Sequence, residues 1–307
     1  MNIRIGSRAS RLALGQARQV LGQLKTAFPH ETFELLPIRS EGDLITDQPL
    51  ASLGGAGVFV KALQETLWRG EVDLLVHSCK DLPAEMPTAS VIAAIPRRAS
   101  PYDALIVAEG QNPVSLLDLA PQARVGTSSP RRKFQALAER SDLQLVELRG
   151  NVDTRLQKLN QGDYAAVIMA EAGLLRLGVS PPRVLLQGPA HIPAAAQGAL
   201  AVECRHDDVA MRKMCQRLND PESFDAVQAE RAVLQRIKAG CHMPIGIYVS
   251  AHTGQFRMHV MLPRRPGFTG FYHVVEGADA MVLAVAMADK VLTEAGRILS
   301  KWQTSTL

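Results

Sequence analysis

Val72-Asp73-Leu74-Leu75-Val76-His77-Ser78-Cys79-Lys80-Asp81-Leu82-Pro83 passes from an apolar run into a polar cluster. Leu74, Leu75 and Val76 read as a strand buried on both faces, as in a parallel sheet. Pro83 has no N–H to donate and ends the pairing. His77 to Asp81 then fall at the carboxyl end of a central strand, where open α/β sheets place their ligands. An ammonium (Lys80) and a carboxylate (Asp81) follow one another there. The same cluster also suits a solvated turn with a surface ion pair, which contributes little.

The neighbouring segments repeat this grammar. Ile3-Arg4-Ile5 is a short strand, and Arg8 lies in the loop after it. Ser10 suits an N-cap, and Leu14, Ala17, Leu21 and Leu24 recur at helical spacing. Gly54-Gly55-Ala56-Gly57 precedes a helix bearing Phe59, Leu63 and Leu67. Pro96 to Tyr102 reads as a hinge. Beyond it, Arg124-Val125-Gly126 leads into Thr127-Ser128-Ser129, an N-cap, and Pro130 at the first helical position. Arg131 and Arg132 occupy that helix's first turn. Two cations at the positive end of a helix dipole are unfavourable unless something negative sits opposite. Arg149 and Arg155 flank another strand-to-helix turn. Arg176 lies near a helix end, where the dipole alone accounts for a cation. Leu200-Ala201-Val202 reads as a strand returning to the first sheet. From about residue 222 a helix, three β-rich runs and a long final helix suggest a small α+β domain.

Bulk composition bounds the reading. The chain has 307 residues, 47% of them hydrophobic, enough for two or three domains with sizeable cores. Lys plus Arg is 34 against 30 for Asp plus Glu. That mild basic bias, with no basic run interleaved with aromatics, argues against nucleic acid. Cys79, Cys204, Cys215 and Cys241 show no metal-ligand spacing, and no metal is expected. Cys241 stands out because it follows a helix in a Gly/Pro loop; the other three read as buried small hydrophobes. No stretch reaches the roughly 20 apolar residues of a membrane helix. The expectation is a cytoplasmic monomer that makes no contact with membrane.

Arginine-bearing loops on two α/β units point to a small ligand with several acid groups, gripped by guanidinium forks. Asp81 among them is a poor anion binder but can stabilise positive charge formed during reaction, or pass a proton to a leaving amine.

These residues fall in motifs that identify a family. Val76-His77-Ser78-Cys79-Lys80-Asp81-Leu82-Pro83, Gly126-Thr127-Ser128-Ser129-Pro130-Arg131-Arg132, Leu148-Arg149-Gly150-Asn151-Val152-Asp153-Thr154-Arg155 and Ala229-Glu230-Arg231-Ala232 leading to Cys241 resemble the porphobilinogen deaminase (hydroxymethylbilane synthase) family nearly end to end. Gly42-Asp43 and Phe59-Val60-Lys61 match too. The resemblance implies an α/β fold: two periplasmic-binding-protein-like α/β domains around a cleft, plus a small α+β C-terminal domain. The domains expected are residues 1–99 with 200–217, 105–193, and 222–307. It implies a transferase of tetrapyrrole (haem) biosynthesis that joins four porphobilinogen molecules head to tail and releases ammonia. It implies a dipyrromethane cofactor on a thioether to Cys241. By the same resemblance Asp81 is the catalytic carboxylate. Ser78, Lys80, Thr127, Ser129, Arg131 and Arg132 would hold the cofactor. Arg8, Gln16, Arg149 and Arg155 would bind substrate, with Arg176 assisting. Ala56, Tyr102, Ala196, Ala239, His242 and Met243 depart from the family pattern. A non-catalytic solute- or pyrrole-binding module with the same two-domain cleft is the alternative; it would need neither Asp81 nor Cys241.

Overall fold

The computed structural model describes residues 1–38, 57–239, 243–263 and 270–304. Gly42-Asp43, Ala56, Cys241 and His242 lie outside the described residues, as does the side chain of Phe59. In chain order the elements are β1 (Asn2–Arg8), α1 (Arg11–Ala27), β2 (Thr32–Ile38), α2 (Gly57–Trp68), β3 (Leu74–Ser78), β4 (Ser90–Ala94), β5 (Asp103–Ile106), β6 (Arg124–Gly126), α3 (Pro130–Glu139), β7 (Gln144–Val146), α4 (Val152–Asn160), β8 (Ala166–Ala170), α5 (Glu171–Leu177), β9 (Arg183–Leu186), β10 (Leu200–Arg205), α6 (Val209–Gln216), α7 (Pro221–Arg236), β11 (Gly246–His252), β12 (Gln255–Leu262), β13 (Phe271–Gly277) and α8 (Ala280–Thr304). Single 3₁₀ turns span Cys79–Asp81 and Leu116–Asp118.

The chain divides into two compact units. The first comprises Met1–Ala99 and Gly198–Phe224. Its sheet has the order β2-β1-β3-β10-β4. β1 runs parallel to β2 and β3, while β10 runs against both β3 and β4. Leu74 and Val76 pack on Ile3, Ile5, Ala17, Val20 and Leu24. Leu75 turns the other way and meets Leu63 and Leu67 of α2. Helices on both faces explain why this strand reads as an uninterrupted apolar run. Burying each such side chain contributes about 1.5–3 kcal/mol.

The second unit comprises Ser100–Gln197 and Asp225–Leu307. Its larger sheet has the order β7-β6-β8-β5-β9, with β6 parallel to β7 and β8 and β5 antiparallel to β8 and β9. This is the same pattern as in the first unit. β5 and β9 have no counterpart in the sequence reading. Each has only four residues and lies just after prolines, Pro101 or Pro181-Pro182, too short to display a period. The smaller sheet, β11-β12-β13, is antiparallel. Met258, Val260 and Leu262 point from β12 into a core shared with Ala226 and Ala229 of α7 and with Ala284, Met287 and Val291 of α8. Arg257 faces solvent, as the alternation requires. Among the described residues no helix is long and apolar enough to cross a membrane.

β10 brings a carboxylate into the first unit's interior. Glu203 is 0% exposed. Its Oε2 lies 2.8 Å from His77 Nε2, and its Oε1 accepts from Gln64 Nε2 at 2.9 Å and from the Ser90 hydroxyl. Burial opposes ionisation, but His77, Ser90 and Gln64 together outweigh it and hold the carboxyl below its ordinary range. A depressed folded pKa adds stability above the unfolded value, about 4.3, and that contribution is lost as pH falls through the folded pKa. Glu203→Gln should therefore unfold at lower urea than the parent at pH 7, by about 1–3 kcal/mol. The difference between the two unfolding curves should shrink as pH falls below about 4.3. A constant difference across that range would refute the ionised role.

Candidate active site

The polar ends of β1 and β3 lie at one edge of the first sheet. Ile5 pairs with Leu74 and Gly6 with Leu75 in parallel register, so Arg8 and the His77-Ser78 step emerge on the same side. Gln16, buried on α1, donates to Ser78 Oγ at 2.8 Å. Ser10 sets the start of α1 by accepting from Ala13 N, which fixes where Gln16 falls on the helix. Cys79 N donates to Ala199 O at 3.0 Å, and Leu82 N closes the 3₁₀ turn on Cys79 O. Cys79 is buried beneath that turn, Lys80 is half-buried, and Asp81 is exposed at its end. The strand ends in a short, anchored turn that presents an ammonium and a carboxylate together.

In the second unit the loops after β6 and β7 carry the cationic residues. Thr127 is buried; its N–H donates to Val146 O at 2.9 Å, and its hydroxyl accepts from Ser129 N at 3.3 Å. Ser129 caps α3 by accepting from Arg132 N, and Pro130 supplies the preset first helical residue. The Ser128 hydroxyl donates to Leu148 O, which ties this loop to the one after β7.

Arg131 and Arg132 point inward, and are 4% and 8% exposed. The negative group opposite them belongs to the protein. Asp103, 3% exposed, opens β5, whose antiparallel register sets it against Ala170 at the carboxyl end of β8. Arg131 Nη2 lies 2.8 Å from Asp103 Oδ2, and Arg132 approaches Oδ1 with Nη2 at 2.8 Å and Nε at 2.9 Å. Gln197 Nε2 donates to Oδ1 at 2.8 Å and equally to Pro101 O. Burial alone would push the Asp103 carboxyl up, but the charges of Arg131 and Arg132 hold it well below the usual range. Burial pulls the Arg131 guanidinium down, and Arg132's like charge adds to that. Two cations on one carboxylate leave the cluster a net positive charge. Asp103 and Gln197 were not singled out from sequence. The available signal was an acidic residue opening a strand that is otherwise wholly apolar (Asp103-Ala104-Leu105-Ile106).

The remaining arginines sit in different settings. Arg155 Nε donates to Gly150 O at 2.8 Å. Its pKa is lowered by burial and then by the charge of Arg132, so it shares the cluster's field. Gly150 has φ +109°, and a Cβ there would meet the Thr154 side chain at 2.8 Å, so the turn between Arg149 and α4 requires glycine. Arg149 is more exposed and pairs with Glu147 at 2.6 Å. Arg176, at the end of α5, is pushed down to about 10 by burial. The structure thus joins Gln16 with Ser78, and Arg131 and Arg132 with Asp103, while Arg155 only feels the charge of Arg132. It gives Arg149 and Arg176 settings of their own, and Cys241 lies outside the described residues. Hydroxyls and guanidiniums with surplus positive charge suit a group bearing carboxylates.

A family model described as porphobilinogen deaminase, dipyrromethane cofactor binding domain, matches residues 3–213. A porphobilinogen deaminase of Geobacillus kaustophilus is 41% identical over 297 residues, covering 96% of this chain and 95% of its own length. One from Roseiflexus sp. is 42% identical over 302 residues, covering 96% and 97%. Among solved structures, the second substrate binding domain of a putative amino acid ABC transporter from Streptococcus pneumoniae aligns with TM-score 0.45 and 11% identity over 76% of this chain and 94% of that one. With identity above two fifths across almost the full length of such relatives, this chain belongs to the porphobilinogen deaminase family.

Proposed function

We propose that this chain joins four porphobilinogen molecules head to tail, releasing ammonia at each step, to give hydroxymethylbilane. Family membership carries this reading, and the buried arginine cluster is the structural feature that supports it. When bound, the dipyrromethane cofactor supplies the primer, an electron-rich pyrrole with a free end. Its thioether partner is Cys241. Arg131, Arg132, Lys80 and the hydroxyls of Ser78, Thr127 and Ser129 hold the cofactor's acid groups. Arg8, Gln16, Arg149 and Arg155, assisted by Arg176, hold those of the substrate and product. Every pyrrole brings an acetate and a propionate, so repeated guanidinium contacts set register as well as affinity.

Asp81 does the chemical work. Losing ammonia leaves positive charge on the substrate's ring, and a carboxylate placed there lowers the barrier electrostatically. The same carboxylate can also shuttle a proton, taking one up before it hands it to the departing amine. Its position at the end of an anchored 3₁₀ turn limits the reorganisation it needs. We assign the enzyme to the cytoplasm as a monomeric transferase; gel filtration at the monomer mass is the expected result.

A non-catalytic binding module would tolerate loss of Asp81. Asp81→Asn should fold, keep its covalent adduct and lower kcat by roughly 10²-fold or more; turnover near the parent's would remove Asp81 from the mechanism. Intact-mass spectrometry of the purified chain should show the added mass of one dipyrromethane, and Cys241→Ala should lack it. An unmodified parent chain, or an adduct that survives in Cys241→Ala, would overturn the attachment.

A further inference from the structure

The ion triad around Asp103 divides its donors unevenly. Each guanidinium offers five N–H donors. Arg132 commits all three nitrogens: Nε to Asp103, Nη1 to Ile168 O at 3.2 Å, and Nη2 to Asp103 and to Gln197 Oε1 at 3.3 Å. Arg131 commits Nη2 to Asp103, and Nη1 to Gln135 Oε1 and Ile192 O, each at 3.0 Å. Arg131 Nε is also buried, yet meets no acceptor among the described residues. A buried donor without an acceptor is costly, so a native structure that keeps one calls for an explanation. The charges give a matching answer: two guanidiniums against one carboxylate fall one negative charge short of balance.

We propose that Asp103 is a resident counter-ion that keeps Arg131 and Arg132 aligned in the interior before any ligand arrives, leaving one net positive charge and the idle Arg131 Nε for a single further carboxylate. Without Asp103, two adjacent cations would face burial with no counter-charge. With a second internal acid, the cluster would be neutral and would not attract an anion. One carboxylate gives both persistence and vacancy. Asp103 is therefore a positioning residue: it acts through the arginines and contacts no ligand. This rests on the reading of Arg131 and Arg132 as carboxylate binders.

The test uses the full chain in the Cys241→Ala background, titrated with succinate at constant ionic strength against sodium chloride, with the thermal midpoint as readout. Asp103→Asn should melt lower than the background without succinate. It should gain a larger succinate shift, with half-saturation at about tenfold lower concentration, because the pair then carries an extra unbalanced charge. Arg131→Gln leaves one cation on one carboxylate and should show a succinate-specific shift well below the background's, the remainder coming from the other cationic residues. An Asp103→Asn protein with the background's midpoint and response would overturn the proposal, as would a full succinate shift in Arg131→Gln. If Asp103→Asn does not fold, Arg131→Gln decides alone. Intact mass of the otherwise unaltered chain separates the two levels. An adduct with no change in succinate response sinks the counter-ion role only, whereas a missing adduct sinks the functional reading beneath it.

Discussion

A carboxylate wedged between two guanidiniums underlies the second unit's chemistry. Charges cannot leave water without compensation, and removing one partner of a buried pair costs about 3–5 kcal/mol. Arg131 and Arg132 stand in the first turn of α3, where the helix dipole opposes them. Asp103 answers both problems, and Gln197 secures Asp103 in turn. Arginine suits this position better than lysine would. Its planar fork can satisfy several acceptors at once, and its high pKa keeps it charged in a dry site.

The two units reach this result by the same topological device. In each, a strand running against the parallel set is inserted beside the central strand: β10 next to β3, and β5 next to β8. Each inserted strand carries a buried acid, Glu203 or Asp103, that meets a base on or near the loop after a parallel strand. A parallel strand delivers its side chains only in its own direction. A reversed neighbour begins where the parallel strands end, so its first residues arrive at the ligand-bearing edge. Asp103 uses that geometry directly. Glu203 lies deeper, opposite Leu75, and steadies His77 from below the Ser78–Asp81 turn.

What could be read in the sequence follows from the range of the forces involved. Caps, helical spacing and apolar strands are local, and the Val72–Pro83 stretch, Ser10, Ser129 and Pro130 revealed their roles within a few residues. The arginine pair was legible as a broken local rule, but its partner was not. Asp103 lies 29 residues from Arg132 along the chain, and Gln197 lies 94 from Asp103. Only strand order brings them together, and β5 is too short to show its own period. Glu203 illustrates the same limit, with Gln64 139 residues away. The likeness to family motifs implied ligand-binding roles for these arginines. It did not reveal that two of them would be buried and already ion-paired.

One departure from the family pattern acquires a physical meaning here. Ala196 stands where the motif has glycine, and its φ is +61°. For an L-residue that left-handed conformation costs roughly 1–2 kcal/mol. Strain of this size persists only where the surroundings fix the backbone. Ala196 N donates to Glu230 Oε2 at 2.5 Å, while Glu230 Oε1 accepts from Val249 N at 2.7 Å, so a buried carboxylate on α7 clamps the segment to β11. The next residue is Gln197, whose amide must aim at Asp103 and Pro101 O together. Relaxing Ala196 to an ordinary extended conformation would swing that amide off its target. The strain is therefore retained for the direction it gives Gln197, and it links the Glu230 clamp in the α+β region to the charge balance around Arg131 and Arg132.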